Sequence, residues 1–132
     1  DYLLNTRPAP TINGISNVRW GKAQVNSFYG IVLFPDVFVL PEGCSFNTAG
    51  TNEYTIDQWT AMENAGAVFL PTPGWGGSVE NFSAEGEIGD YWTQNVNFLG
   101  INFMSNFGGS CDVNKWYAPF FYFSYRLVHE AE

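Results

Sequence analysis

The sequence predicts an α+β fold built mostly from short strands, and three observations carry that prediction. One helix is plainly signalled between Thr55 and Gly66. Short apolar runs, Gly30-Ile31-Val32-Leu33-Phe34 and Ala67-Val68-Phe69-Leu70, have the length of buried strands and stop at Pro35 and Pro71. The last third of the chain alternates apolar with polar residues, as in Leu99-Gly100-Ile101-Asn102-Phe103, and a side-chain period of two is the mark of a strand. Composition agrees. Charged residues make up 14% of the chain against a usual quarter or so, and aromatic residues 18%. With 14 Gly and 7 Pro, that favours many strands and turns over a helical bundle or disorder. The 132 residues read as one domain, 1–132, with no internal repeat or linker and enough chain to bury a core.

Taken in order, residues 1–7 read as the last turns of a helix, with Tyr2, Leu3 and Leu4 on its buried side and Pro8 and Pro10 ending it. Residues 11–22 read as loop. A strand is expected over Ala23-Gln24-Val25-Asn26, a turn over Ser27-Phe28-Tyr29-Gly30, and a buried strand from Gly30 to Phe34. Val37-Phe38-Val39-Leu40-Pro41 forms a second apolar piece, and residues 42–53 a polar loop. Thr55 and Gln58 have the spacing of a capping box, in which the hydroxyl takes an orphan backbone amide while the amide side chain reaches back. Asp57 suits the helix N-terminus by its charge. Ile56, Trp59, Met62 and Ala65/Gly66 recur at threes and fours as one apolar stripe, and Gly66 ends the helix in a left-handed conformation. Ala67–Pro71 follows as a strand, then a Gly-rich loop over residues 72–90.

Five basic against thirteen acidic residues give a net charge of −8. That disfavours a nucleic-acid backbone, which needs clustered Lys and Arg, and anionic membrane surfaces alike. No apolar run approaches the ~18 residues of a membrane span, so no direct membrane insertion is expected. Cys44 and Cys111 are compatible with one disulfide in an exported protein or with two unpaired, partly buried thiols; no CxxC motif is present.

The block Tyr54-Thr55-Ile56-Asp57-Gln58-Trp59-Thr60-Ala61-Met62-Glu63-Asn64-Ala65-Gly66-Ala67-Val68-Phe69-Leu70-Pro71 resembles a segment of a family of gut-bacterial surface domains related to the Fibrobacter succinogenes major paralogous domain. Leu3–Arg7, Ala23–Asn26, Gly30–Asp36 and Leu40–Gly43 match the same family in order. Downstream, Gly89-Asp90-Tyr91-Trp92-Thr93 and Ser124-Tyr125-Arg126-Leu127-Val128 look like two of its later motifs. The resemblance implies a C-type lectin-like fold: a pair of helices against a twisted antiparallel sheet, with long loops and a C-terminal ligand-facing region. It also implies a secreted or cell-surface bacterial protein. The family's usual opening strand and the first part of its first helix are not matched here, which implies a domain truncated at its N-terminus or closed by another element. Members are typically rich in Asn and Ser between the two closing motifs, whereas this chain is rich in aromatics there. Some lectin-like proteins of this kind are targets of diversity-generating retroelements, which mutate adenines and so convert Asn codons into many others. Matching motifs around an eclectic middle resemble that outcome.

The binding face expected on this reading comprises Asn95, Asn97, Phe98, Asn102, Met104, Asn106, Phe107, Asp112, Asn114, Trp116, Tyr117, Phe120 and Tyr122. Amide side chains accept and donate hydrogen bonds, and aromatic ones bring contact area at low entropic cost. Strand alternation also requires some of these aromatics to fill the core. Trp59 and Trp92 read as core. Glu80, Glu85, Glu87 and Asp90 form an acidic loop without ordered ligand spacing and without the sugar-binding motifs of calcium-dependent lectins, so neither metal nor other cofactor is expected. His129 is the only histidine, and no Gly-x-Ser-x-Gly or Cys–His arrangement is present. Asn81-Phe82-Ser83 fits a glycosylation acceptor, a pattern of little weight in a bacterial protein. The leading expectation is a non-enzymatic module binding a protein or glycan at a cell surface. The alternatives are a passive domain of a surface or fimbrial assembly and, by fold analogy alone, an enzyme akin to formylglycine-generating enzymes, which use a close cysteine pair where this chain has only Cys111.

Overall fold

A computed structural model of the chain describes residues 2–72 and, beyond them, the strands at 75–78, 81–83, 88–92, 98–102 and 111–115. Contacts divide the chain into two compact units, Asp1–Thr72 and Pro73–Glu132. The described residues are α+β: one α-helix, a short π-helical turn and nine strands. None of their helices is long and apolar enough to cross a membrane.

The first unit opens with the π-helical turn Tyr2–Thr6, in which Leu4 is buried. Arg7 and Arg19 then clasp each other's main chain: Arg7 Nη2 donates to Arg19 O at 2.8 Å, and Arg19 Nε to Arg7 O at 2.7 Å. Ile12-Asn13-Gly14-Ile15 is a closed turn with two backbone hydrogen bonds, at 2.9 and 3.0 Å. Asn13 and Gly14 have φ of 52° and 79°, the two positive values of a type I′ turn.

Strand β1 (Trp20–Val25) and strand β2 (Phe28–Leu33) form an antiparallel hairpin. The predicted strand at 23–26 therefore begins three residues earlier, and Phe28 and Tyr29 belong to β2 rather than to a turn. The reversal is confined to Asn26 and Ser27, with φ of 46° and 72°. A left-handed conformation strains any side-chain-bearing residue by about 1–2 kcal/mol, against which a glycine loses about 0.4–1 kcal/mol to its looser unfolded chain. Ser27→Gly is therefore expected to raise stability by about 0.5–1 kcal/mol, read as an increase in the urea midpoint at unchanged slope; a lower midpoint would contradict the turn geometry.

Strand β3 (Asn52–Tyr54) runs parallel to β1, and strand β4 (Val68–Pro71) antiparallel to β2, giving the order β3-β1-β2-β4. The sheet is thus mixed rather than purely antiparallel. The C-terminal end of the predicted polar loop 42–53 is a strand because Asn52 has its hydrogen bonds met inside the protein. Its Nδ2 donates to Lys22 O at 3.0 Å and Asn47 O at 2.9 Å, and its Oδ1 accepts from Asn47 N at 2.7 Å. A buried amide so satisfied costs little and fixes the loop to the sheet.

Helix α1 (Ile56–Asn64) forms where its caps place it. Gln58 N donates to Thr55 Oγ1 at 3.2 Å and Thr55 N to Gln58 Oε1 at 3.0 Å, the reciprocal pair of a capping box. At the other end Gly66, with φ of 100°, lets Ala67 N reach Met62 O at 3.0 Å and Gly66 N reach Glu63 O at 2.9 Å. That is a Schellman closure. The apolar stripe is only partly buried: Met62 is fully enclosed and Trp59 half-buried, but Ile56 stands 53% exposed. Ile56, the first residue of the helix, departs from the expectation and stays outside the core cluster.

The core lies on the face of the sheet that carries Ala23, Val25, Val32 and Tyr54, where Met62, Phe34, Phe38 and Phe46 pack with them. Phe34 sits 4.7 Å from Phe38 and 4.8 Å from Phe46, ring centre to ring centre. Trp59 stacks at an angle between Tyr54 (6.4 Å) and Phe69 (5.6 Å). Ile31, Leu33 and Leu70, at the alternate positions of β2 and β4, are buried as well. Of the apolar piece 37–41, only Phe38 is buried, while Val37 and Val39 are exposed. It is not a strand.

In the second unit, strands β5 (Trp75–Ser78) and β6 (Asn81–Ser83) pair as an antiparallel ribbon inside the stretch expected to be loop. Strands β7 (Ile88–Trp92), β8 (Phe98–Asn102) and β9 (Cys111–Lys115) form a fully antiparallel sheet with β8 at its centre.

Candidate functional site

The alternation noted around Leu99–Asn102 resides in β8, the central strand of the second unit. Its register sets Phe98 opposite Trp92, Gly100 opposite Asp90, and Asn102 opposite Ile88. On the other side Phe98 faces Lys115 and Gly100 faces Asp112. Phe98, Gly100 and Asn102 hold alternate positions along β8, and Asp112 is the register partner of Gly100 on β9. Between the pairs Phe98–Lys115 and Gly100–Asp112 the register shifts, and β9 holds the extra residue in the stretch that contains Asn114. Bulges of this kind twist a strand and re-aim one residue, and they gather beside binding and active sites.

Four of the thirteen expected binding residues, Phe98, Asn102, Asp112 and Asn114, therefore fall on two neighbouring strands. Asn95, Asn97, Met104, Asn106, Phe107, Trp116, Tyr117, Phe120 and Tyr122 lie outside the described residues, as do Glu80, Glu85, Glu87, His129 and the closing 124–128 motif. Asp90 belongs to β7 rather than to a loop, and Asn81-Phe82-Ser83 is strand β6. Among the described residues no group of three or more His, Cys, Asp or Glu is placed to hold a metal ion.

Two further features lie in the first unit. Cys44 carries a free, half-buried thiol that donates to Gln58 O at 3.5 Å. Tyr54 donates its hydroxyl to Ser45 O at 2.8 Å, and burial, with a smaller electrostatic contribution from neighbouring Cys44, pushes its phenol well above the usual range. Both groups tie the 43–47 loop to the sheet and helix, an arrangement that explains them as structure.

The second feature is a groove of about 300 Å³ beside the clasped arginines. Leu4 and Val18, both buried, form its floor. Asn5, Ser16, Asn17 and Thr48 form an exposed polar rim, and Arg19 and Trp20 form a wall. Asn17 is held at φ 58°, a left-handed conformation that an asparagine tolerates better than most residues. Sequence reasoning missed this groove because it read 11–22 as featureless loop. The signal was the Asn13-Gly14 dipeptide between two isoleucines, the strongest short-range sign of a tight reversal.

No protein-family model, curated protein or solved structure matches this chain.

Proposed function

We propose that this chain is a non-enzymatic ligand-binding module of a secreted or cell-surface bacterial protein, with a C-type lectin-like architecture. In this reading its C-terminal strands present a variable surface to a protein or glycan. The observation that carries the reading is the bulged β8–β9 pair, where Phe98, Asn102, Asp112 and Asn114 occupy neighbouring register positions. Support comes from the contrast with the first unit, where the helix, caps and aromatic core are fully committed to each other. A frame that folds on its own contacts leaves residues elsewhere free to be chosen for recognition.

Sequencing the same locus from sibling isolates tests the proposal. Differences are expected to concentrate between Trp92 and Tyr125 and to fall at codons derived from Asn, with the block Tyr54–Pro71 nearly unchanged. Differences scattered evenly along the chain would overturn variable display and favour a passive domain in a surface assembly.

A further inference from the structure

We propose that the groove beside Arg19, in the first unit, is a second binding site and that it takes a single carboxylate-bearing sugar such as a uronic acid. The first argument is charge. The chain carries −8 overall, yet residues 2–35 contain three of its five basic side chains, Arg7, Arg19 and Lys22, and none of its thirteen acids. Among the described residues that line the groove, Arg19 carries the only charge, and grooves lined by one sign of charge concentrate ligands of the other.

The second argument is the state of Arg19. Its guanidinium donates through Nε to Arg7 O at 2.7 Å and through Nη1 to Asn17 O at 3.5 Å, and to no carboxylate among the described residues. The Arg7 carbonyl thus anchors the fork, with the longer contact to Asn17 O beside it. The positive charge is pre-positioned at the groove wall, and the remaining N–H groups suit a carboxylate, which the planar fork matches better than an ammonium would.

Third, the rest of the lining suits a sugar ring. Trp20 and Ile15 bring apolar area to the lining for the less polar side of a pyranose, and Asn17, Ser16 and Thr48 bring amide and hydroxyl groups that donate and accept. The volume, about 300 Å³, lies at the small end of ligand sites and fits one residue rather than a chain. The Asn13-Gly14 turn and the clasp of Arg7 and Arg19 hold the lining in place before any ligand arrives, which lowers the ordering cost of binding.

The test is an NMR titration of the ¹⁵N-labelled full chain with sodium glucuronate, glucose and inorganic phosphate. Glucuronate is expected to shift the Trp20 indole N–H and the Arg19 Nε–H in a saturable way, with weakening at high salt. Glucose is expected to bind at least about tenfold more weakly for lack of the charged hydrogen bonds, and phosphate, which pairs with the guanidinium but brings no ring to the rest of the lining, at least about tenfold more weakly than glucuronate. R19Q should lose about tenfold or more in affinity. Because Arg19 also braces Arg7, Thr48→Trp provides the control: it fills the groove from the exposed rim and should abolish the shifts with the melting temperature unchanged. Absence of glucuronate shifts in the wild-type chain, equal shifts from glucose or phosphate, or normal binding by T48W would each overturn the assignment.

Discussion

Phe34→Ala is expected to destabilise the protein by about 3–5 kcal/mol, the range for large-to-small changes at enclosed aromatic positions. Phe34 is 1% exposed and sits directly after β2, where it leaves the sheet and enters the core. Its ring meets Phe38 at a tilt and Phe46 edge-on. Both partners come from the 35–51 segment, which has no regular structure of its own to hold it. Aromatic pairs of this geometry add about 0.5–1.5 kcal/mol beyond the area they bury. Removal of the ring therefore opens a cavity and also detaches the loop that covers the sheet. Marginal stability makes such a loss a large share of the total. Chemical denaturation of the variant checks it; a shift below about 1 kcal/mol would mean that the loop is not part of the core.

Gly30→Ala is the second large effect, expected at about 3 kcal/mol or somewhat more from overpacking. Gly30 lies in β2 opposite Ala23 on one side and Pro71 on the other. A Cβ added there would lie 2.6 Å from Phe69 Cε2 and in hard contact with the Leu70 carbonyl oxygen. A side chain can turn away, but a strand carbonyl in a ladder cannot move without breaking the β2–β4 pairing. Gly21 differs, because the atoms a Cβ would meet there belong to the ring of Phe46. Gly21→Ala should thus be milder than Gly30→Ala, and the pair measured together separates backbone approach from side-chain crowding.

The parts of the fold that were legible in the sequence are those decided locally. Thr55, Gln58 and Gly66 specify the ends of α1 through hydrogen bonds within a few residues, and the structure has those bonds. The apolar runs ending at Pro35 and Pro71 mark β2 and β4 for a similar reason. What was not legible is decided across the chain. Trp20-Gly21-Lys22 looked like loop because Gly21 reads as a breaker, yet the ring of Phe46 occupies the space its missing side chain leaves. Asn52-Glu53-Tyr54 looked polar and irregular, but parallel pairing with β1 and the Asn52 hydrogen bonds make it a strand. Asn26-Ser27 carries no glycine to announce a reversal. At the candidate site, the alternation of β8 was readable, whereas the bulge in β9 was not, since a one-residue excess depends on the partner strand.

The proposed function assigns recognition to the β8–β9 surface and expects its residues to carry little of the stability. The most direct measurement is a surface-display library with Phe98, Asn102, Asp112 and Asn114 randomised together, scored in one pass for thermal midpoint and for selection against a single immobilised protein or glycan. The account predicts that most members keep a midpoint close to that of the parent, each change costing less than about 0.5 kcal/mol, and that tight binders emerge whose affinity depends on those four positions. If most members melt as Phe34→Ala does, those residues are core and the sheet is not a recognition surface.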